Sequence, residues 1–344
     1  MNTLTITRPD DWHLHLRDGA ELAAVLPFTA QRFARAIVMP NLKPPVTTTA
    51  AALAYRDRIL AALPAGLHFE PLMTLYLTDN TDPDEIDRAM ASGQVSGCKL
   101  YPAGATTNSA AGVTDIRRID AVLERMAERG MVLQVHGELT GDVDIFEREV
   151  RFIEAVLEPT VQRFPKLRIV FEHITTAAAV SYVHSARQGV GATLTPQHLL
   201  HNRNAIFAGG IRPHYYCLPI LKTEADREAL LDAATSGNPR FFLGTDSAPH
   251  SQTAKETSCG CAGMFSAHAG IELYAEAFDT VGRLNRLEGF AAHFGADFYR
   301  LPRNQDTLTL IKDNWSPPPS YAYGSGKIIP MRANESIQWR VSPS

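Results

Sequence analysis

Short apolar, β-branched runs alternate with stretches of helical period along most of this chain, and that rhythm restricts the fold more than any single motif. The runs are RAIVMP (35–40), FEPLMTLYL (69–77), VSGCKLYP (95–102), MVLQVHGE (131–138), LRIVFEHI (167–174), VGATLTPQ (190–197) and PRFFLGTDSAPH (239–250). Between them, apolar residues recur at helical spacing over 47–63, 82–93, 114–130, near 144–163, near 176–187 and near 223–236. Threonines are available to cap the 47–63 segment, and Gly130 ends the 114–130 segment, where a left-handed terminating residue is favoured. Strands separated by helices of this length imply βαβ units and a parallel sheet. With an opening segment at 10–19 there are eight such strands, the number that closes an α/β barrel of the (β/α)8, TIM type. The sequence therefore predicts one domain over residues 1–344. SPPPS at 316–320 ends the rhythm, and KIIPMRANESIQWRV (327–341) is predicted to be a short C-terminal β hairpin packed outside the barrel.

Composition narrows the class. A chain of 45% hydrophobic and 20% charged residues is ordinary for a globular protein. A net charge of −4 gives no support to a nucleic-acid partner, which usually meets a basic patch. No window approaches the roughly 20 apolar residues that span a bilayer. The start, MNTLTITRPDD, lacks the basic and apolar regions of a signal peptide, so a cytoplasmic protein with no membrane partner is expected. Cys98 and Cys217 stand alone in apolar surroundings, as small buried hydrophobes do. Cys259 and Cys261 lie in a glycine-rich loop without the CxxC spacing of zinc motifs, which argues against a metal site there.

DDWHLHLRDG (10–19) sets His13, His15 and Arg17 at every second position. As a strand it would aim two imidazoles and a guanidinium to one face, and Leu14 and Leu16 to the other. Histidines two apart can share a metal, and an arginine beside them suits an anionic ligand, although an exposed edge strand with polar teeth has the same pattern. The other unusual residues fall where this segment does. Asn41 follows the second strand, Lys99 is near the end of the fourth, His136 ends the fifth, His173 ends the sixth, and Asp246 and His250 follow the eighth. That is the carboxyl-end face, where barrel enzymes carry their active sites. His68, His184, His268 and His293 fall in helices or helix-to-strand loops and read as structural or solvated. His198, His201 and His214, after the seventh strand, are open to either reading. Four histidines, an aspartate and a lysine in one mouth suggest a two-metal site, which lowers the pKa of a water and polarises a carbonyl. Imidazole and carboxylate ligands suit zinc best, without excluding cobalt, manganese or iron. Lys99 is the odd member, since an ammonium repels a dication. It fits only if neutralised or converted to an acid, and a buried amine paired with a carboxylate is the alternative.

In this order, these residues resemble the amidohydrolase superfamily: HxH on strand one, lysine on strand four, histidines on strands five and six, aspartate on strand eight. The motifs DDWHLHLRDG, VMPNLKPPVTT, KLYPAGATTNS, LQVHGE, FEHITT, TPQHL, NPRFFLGTDSAPH and KETSCGCAGMF carry the likeness over residues ~10 to 265. It implies a ligand set of His13, His15 and Asp246 for a more buried zinc, and His136 and His173 for a second. Lys99, carbamylated by carbon dioxide, would bridge the two ions. The resemblance further implies that Arg17, Asn41 and His250 hold a substrate carboxylate, with His15 and His136 also meeting the substrate. Backbone groups near Leu218 and Ala262 would read its ring, and Thr106 and Thr107 would close over it from a mobile loop at 102–112. The implied reaction is reversible hydrolysis of the cyclic amide of (S)-dihydroorotate to N-carbamoyl-L-aspartate, a step of pyrimidine synthesis. A hydroxide bridging the metals would attack, and Asp246 would serve as general base and then general acid. A homodimer is the implied assembly.

Two rival readings make different demands. A hydantoinase or allantoinase would share the metals, but Arg17, Asn41 and His250 together argue for an anionic substrate. A non-catalytic barrel descended from such enzymes would lack ligands, and none is missing from this sequence.

Overall fold

The computed structural model describes residues 2–258 and 260–342. Cys259, half of the SCGC pair, lies outside the described residues. Eight parallel strands form the barrel: β2 (Asp11–Leu14), β3 (Arg35–Val38), β4 (Glu70–Tyr76), β5 (Val95–Leu100), β6 (Val132–His136), β7 (Arg168–Glu172), β8 (Val190–Leu194) and β9 (Phe241–Leu243). They pair in sequence order. The ring closes beyond β9, where Asp246 N donates to His13 O at 2.9 Å and His15 N to Ser247 O at 3.1 Å. Helices on one side and packed side chains on the other cover the strands, so runs such as VLQVH and VGATL are buried throughout rather than alternating.

The helical expectations hold in kind and shift at their ends. Thr48 caps helix Thr49–Ala61 by accepting from Ala51 N, and Gly130 ends helix Asp120–Arg129 at φ 70°. The 144–163 helix begins later, at Arg148, and contains a π turn over Ile153–Leu157. Inside the barrel, Trp12, Ile37, Met39, Leu72, Val132, Val170 and Phe242 form one apolar cluster. They come from strands on all sides of the ring, including β2, β4, β6 and β9, which meet only within it. Trp12 stacks on Tyr299 at 4.7 Å and seals the amino end. Gly244 is needed at the carboxyl end, because a Cβ there would lie 2.7 Å from Thr193 Cβ.

Two expectations are corrected. The opening segment is not one strand as far as Arg17: β2 stops at Leu14, and Asp11 pairs with Ala36 while Leu14 pairs with Val38. Three residue steps on β2 oppose two on β3, a bulge that breaks strict alternation. Trp12 therefore joins the interior cluster while its neighbour His13 also meets interior groups. Arg17 sits in a left-handed turn at φ 62° rather than on the strand.

The predicted terminal hairpin is also absent as drawn. Residues 327–328 belong to β12 (Gly326–Ile328), which pairs back with β11 (Tyr321–Tyr323). Residues 337–341 form β13 (Ile337–Val341), which pairs with β10 (Thr307–Trp315), and β10 pairs in turn with β1 (Thr3–Thr7). The reason is turn chemistry and distance. Gly324, at φ 53°, closes the upstream hairpin, and Thr3 meets Ile311 across most of the chain. No helix is long and apolar enough to cross a membrane among the described residues.

Candidate active site

The carboxyl ends of the strands bring most of the expected residues into one mouth. His13 Nε2, His15 Nε2 and Asp246 converge, with their ligand-type atoms all within 4.8 Å of one another. Asp246 Oδ1 lies 3.4 Å from His13 Nε2 and 3.2 Å from His15 Nε2. His173 lies beside His13, its ring tilted by 58° and the ring centres 4.9 Å apart, and His136 meets His173 edge-on at 4.8 Å. Lys99 ends its stem below them, fully buried, its Nζ without a hydrogen-bond partner and 5.1 Å from the centre of the Tyr101 ring.

Buried acceptors behind the histidines fix which nitrogen faces the mouth. His13 Nδ1 donates to Glu172 Oε2 at 2.9 Å, and His15 Nδ1 donates to Asn41 Oδ1 at 2.8 Å. Both Nε2 atoms are then unprotonated and aimed at Asp246. His136 is held the other way round, Nε2 donating to Glu138 Oε2 at 2.7 Å, which leaves Nδ1 basic. Such partners orient metal-binding imidazoles and raise their basicity. Thr193 links two of the histidines, its hydroxyl donating to Glu172 and accepting from His173 N at 2.7 Å. Asp11 braces the closing strand, accepting from Thr245 N at 2.8 Å, Thr245 Oγ1 at 2.5 Å and His13 N at 3.2 Å. Burial raises its pKa to about 7.

Electrostatics favour cation binding. Burial, reinforced by Lys99, lowers the pKa of His13, and burial with Arg17 pulls His15 well below the ordinary imidazole value. Burial, then Lys99, does the same to His173. All three present neutral ligands at neutral pH, as a metal requires. Burial lowers Lys99 to about 8, against the pull of Glu172 and Asp246. Burial raises Asp246, with His13 opposing. The unpartnered Lys99 Nζ and His173 Nδ1 are buried polar atoms that this chain alone does not satisfy. The donor set therefore fits metal ions. Arg17, His173 and Asp246 all hold left-handed backbone, at φ 62°, 42° and 44°, a strain typical of functional positions.

The remaining expected residues line or back this mouth. Arg17 Nε donates to Pro249 O at 2.9 Å and its Nη2 to His250 Nε2 at 3.0 Å. Burial, then Arg17, pushes His250 down to about 2, so it stays neutral as that acceptor. Asn41 Nδ2 donates to Thr107 O at 3.1 Å, and Thr107 Oγ1 to Ala262 O at 3.4 Å, so the 102–112 loop lies over the mouth. Thr106, Thr107, Leu218 and Ala262 line a narrow cavity of about 20 Å³ with His13, His15, His136 and His173, whereas Lys99 and His250 do not line it. A larger cleft of about 870 Å³, between Arg32 and Trp315, contains none of these residues. The histidines left open by the sequence have structural partners. His198 is buried between Thr195 Oγ1 and Pro219 O, His201 packs on Tyr215, and His214 pairs with Glu256. Reading the sequence missed Asp11, Glu138, Glu172 and Thr193. The signal for three of them was adjacency, since each lies within two residues of a candidate ligand in the same motif.

Comparison with known proteins agrees with this geometry. Residues 6–285 match the model of the amidohydrolase family. A dihydroorotase of Alkalilimnicola ehrlichii is 65% identical over 342 residues, covering 99% of this chain and 100% of the relative. The crystal structure of Campylobacter jejuni dihydroorotase superimposes with a TM-score of 0.91 at 34% identity, covering 99% of this chain and 98% of that one. Saccharomyces cerevisiae dihydroorotase, in complex with 5-fluoroorotic acid, gives 0.91 at 32% identity with both chains fully covered.

Proposed function

The chain belongs to the amidohydrolase family and, within it, to the dihydroorotases, and from that premise we propose how its own residues interconvert (S)-dihydroorotate and N-carbamoyl-L-aspartate. The observation that carries the reading is the convergence of His13 Nε2, His15 Nε2 and Asp246, with His136, His173 and an unpaired Lys99 alongside. His13, His15 and Asp246 would hold one zinc ion, His136 and His173 a second. When bound, such ions lower the pKa of a water and polarise a carbonyl. Lys99 joins this set as an anion. With a pKa near 8 its neutral amine is accessible. Attack of that amine on carbon dioxide would form an N–C bond and release one proton, giving a carbamate with which Lys99 would help hold the ions.

Asp246 takes a proton from the attacking water and delivers it to the ring nitrogen as the amide C–N bond breaks. In synthesis the transfers reverse. The upward pKa shift that burial gives Asp246 suits a group that must both accept and release a proton. Arg17 holds the substrate carboxylate with the N–H groups its contacts to Pro249 and His250 leave over, and Asn41 adds its second amide N–H. His250 completes this clamp. His15 and His136 face the substrate, and backbone groups at Leu218 and Ala262 read its ring. Thr106 and Thr107 act as a lid. The ligand bound to the yeast relative, a ring acid, supports an anionic pyrimidine substrate. The working form is a cytoplasmic homodimer of one-domain chains.

The test is zinc content measured with turnover of dihydroorotate and of hydantoin on one preparation. The reading expects two-metal occupancy and strong preference for the acid. Equal turnover of both substrates would assign the site to an uncharged cyclic amide.

A further inference from the structure

Lys255 ends the short helix Gln252–Lys255 and is only 4% exposed, yet no carboxylate pairs with it among the described residues. A buried ammonium without a counter-ion is costly unless every N–H finds an acceptor. Here each does. Nζ donates to Tyr216 O at 2.9 Å, Cys261 O at 2.8 Å and Gly263 O at 2.6 Å. These carbonyls belong to two loops far apart in sequence, and the loops carry Leu218, Ala262 and Gly263 of the cavity wall. A backbone bond from Gly263 N to Tyr216 O, at 3.0 Å, stitches the same seam. The wall is also tight. Gly263 has φ 145°, and a Cβ there would lie 2.6 Å from Ala248 O.

We propose that Lys255 is a positioning residue for the reaction: its ammonium fixes the 216–218 and 261–263 segments at the spacing that presents the Leu218 and Ala262 backbone to the substrate ring. This rests on the substrate assignment made above. The same charge reaches the neighbouring clamp residues, since it contributes, after burial and Arg17, to the depression of the His250 imidazole. Burial lowers Lys255 itself to about 8, with Cys217 and Cys261 opposing, and the three carbonyls satisfy its N–H groups.

The test uses the zinc-loaded, full-length enzyme and compares wild type with Lys255→Met and Lys255→Gln. Lys255→Met keeps the apolar stem and removes the charge and all three donors. It should raise KM for dihydroorotate roughly tenfold or more, change kcat less than KM, and leave zinc content unaltered. Lys255→Gln retains an amide donor group and should recover part of the KM loss. A KM for Lys255→Met within about twofold of wild type would overturn the assignment. So would loss of zinc or of the folded protein in both variants, which would make Lys255 a residue of the fold alone. Absence of wild-type turnover would instead break the substrate assignment.

Discussion

The two ends of the barrel interior are built by the same strands and obey different rules. At the amino end, Trp12, Ile37, Val132, Val170 and Phe242 fill the space with mostly apolar side chains; Gln134 Nε2 donates to Tyr299 Oη at 2.8 Å, and only Gln134 Oε1 and the Trp12 indole N–H of this cluster lack partners. At the carboxyl end, four histidines, Lys99 and the acids Glu138, Glu172 and Asp246 are buried together, with Lys99 Nζ and His173 Nδ1 unpaired. Three residues there, Arg17, His173 and Asp246, also occupy left-handed backbone. Burial of apolar area at the floor stabilises the fold. The mouth does the reverse, holding desolvated polar groups that only a ligand can satisfy. Substitutions at the mouth should therefore remove activity and spare the fold, whereas those at the floor should do the opposite.

The largest loss is expected at Lys99. Lys99→Ala should release much of the zinc and nearly all turnover, and added acetate or propionate should restore a fraction by filling the vacated space. Anomalous data at the metal edge, with density for a planar group on Lys99, check the same point directly. An unmodified lysine beside an active metal pair would leave the mouth without its bridging anion.

Asp246→Asn should keep the fold and lower kcat by ~10²–10⁴-fold, because an amide cannot carry the proton. Near-normal kcat in that variant would remove Asp246 from the proton path.

Arg17→Met should cost roughly 2–5 kcal/mol in kcat/KM for dihydroorotate, with much less effect on an uncharged cyclic imide. If both substrates suffer equally, the left-handed Arg17 turn serves structure and the mouth loses its distinguishing charge.

Thr106→Val and Thr107→Ala should lower activity modestly without releasing zinc, as expected of lid contacts. Unchanged kinetics in both variants and in their combination would argue against a lid.

The smallest effect on turnover is predicted at the floor. Ile37→Ala should destabilise the chain by about 2–5 kcal/mol in denaturant titrations while leaving kcat of the folded enzyme unchanged. A parallel loss of kcat would show that the two ends are coupled and would break the contrast between them.

The sequence by itself determined the barrel and most of its mouth. Seven apolar, β-branched runs and an opening segment, separated by helical stretches, admit few topologies, and His136, His173 and Asp246 could be placed because each sits at or just past the end of such a run. Local periodicity and position along a strand are properties of neighbouring residues, so they can be read from a string. Tertiary structure alone decided the rest. The bulge that moves Trp12 into the floor arises from β2 pairing with β3, and the Arg17 turn follows where β2 ends early. The N-terminal strand pairs with β10 across some three hundred residues, which no local pattern announces. Glu172, Glu138 and Asp11 stand beside candidate ligands in sequence, yet their roles depend on which imidazole nitrogen or backbone N–H each one meets. Lys255 is the clearest case. Nothing in KETSCGCAGMF says that its ammonium will meet three carbonyls from two loops, because that depends on how closely the loops approach after the barrel closes.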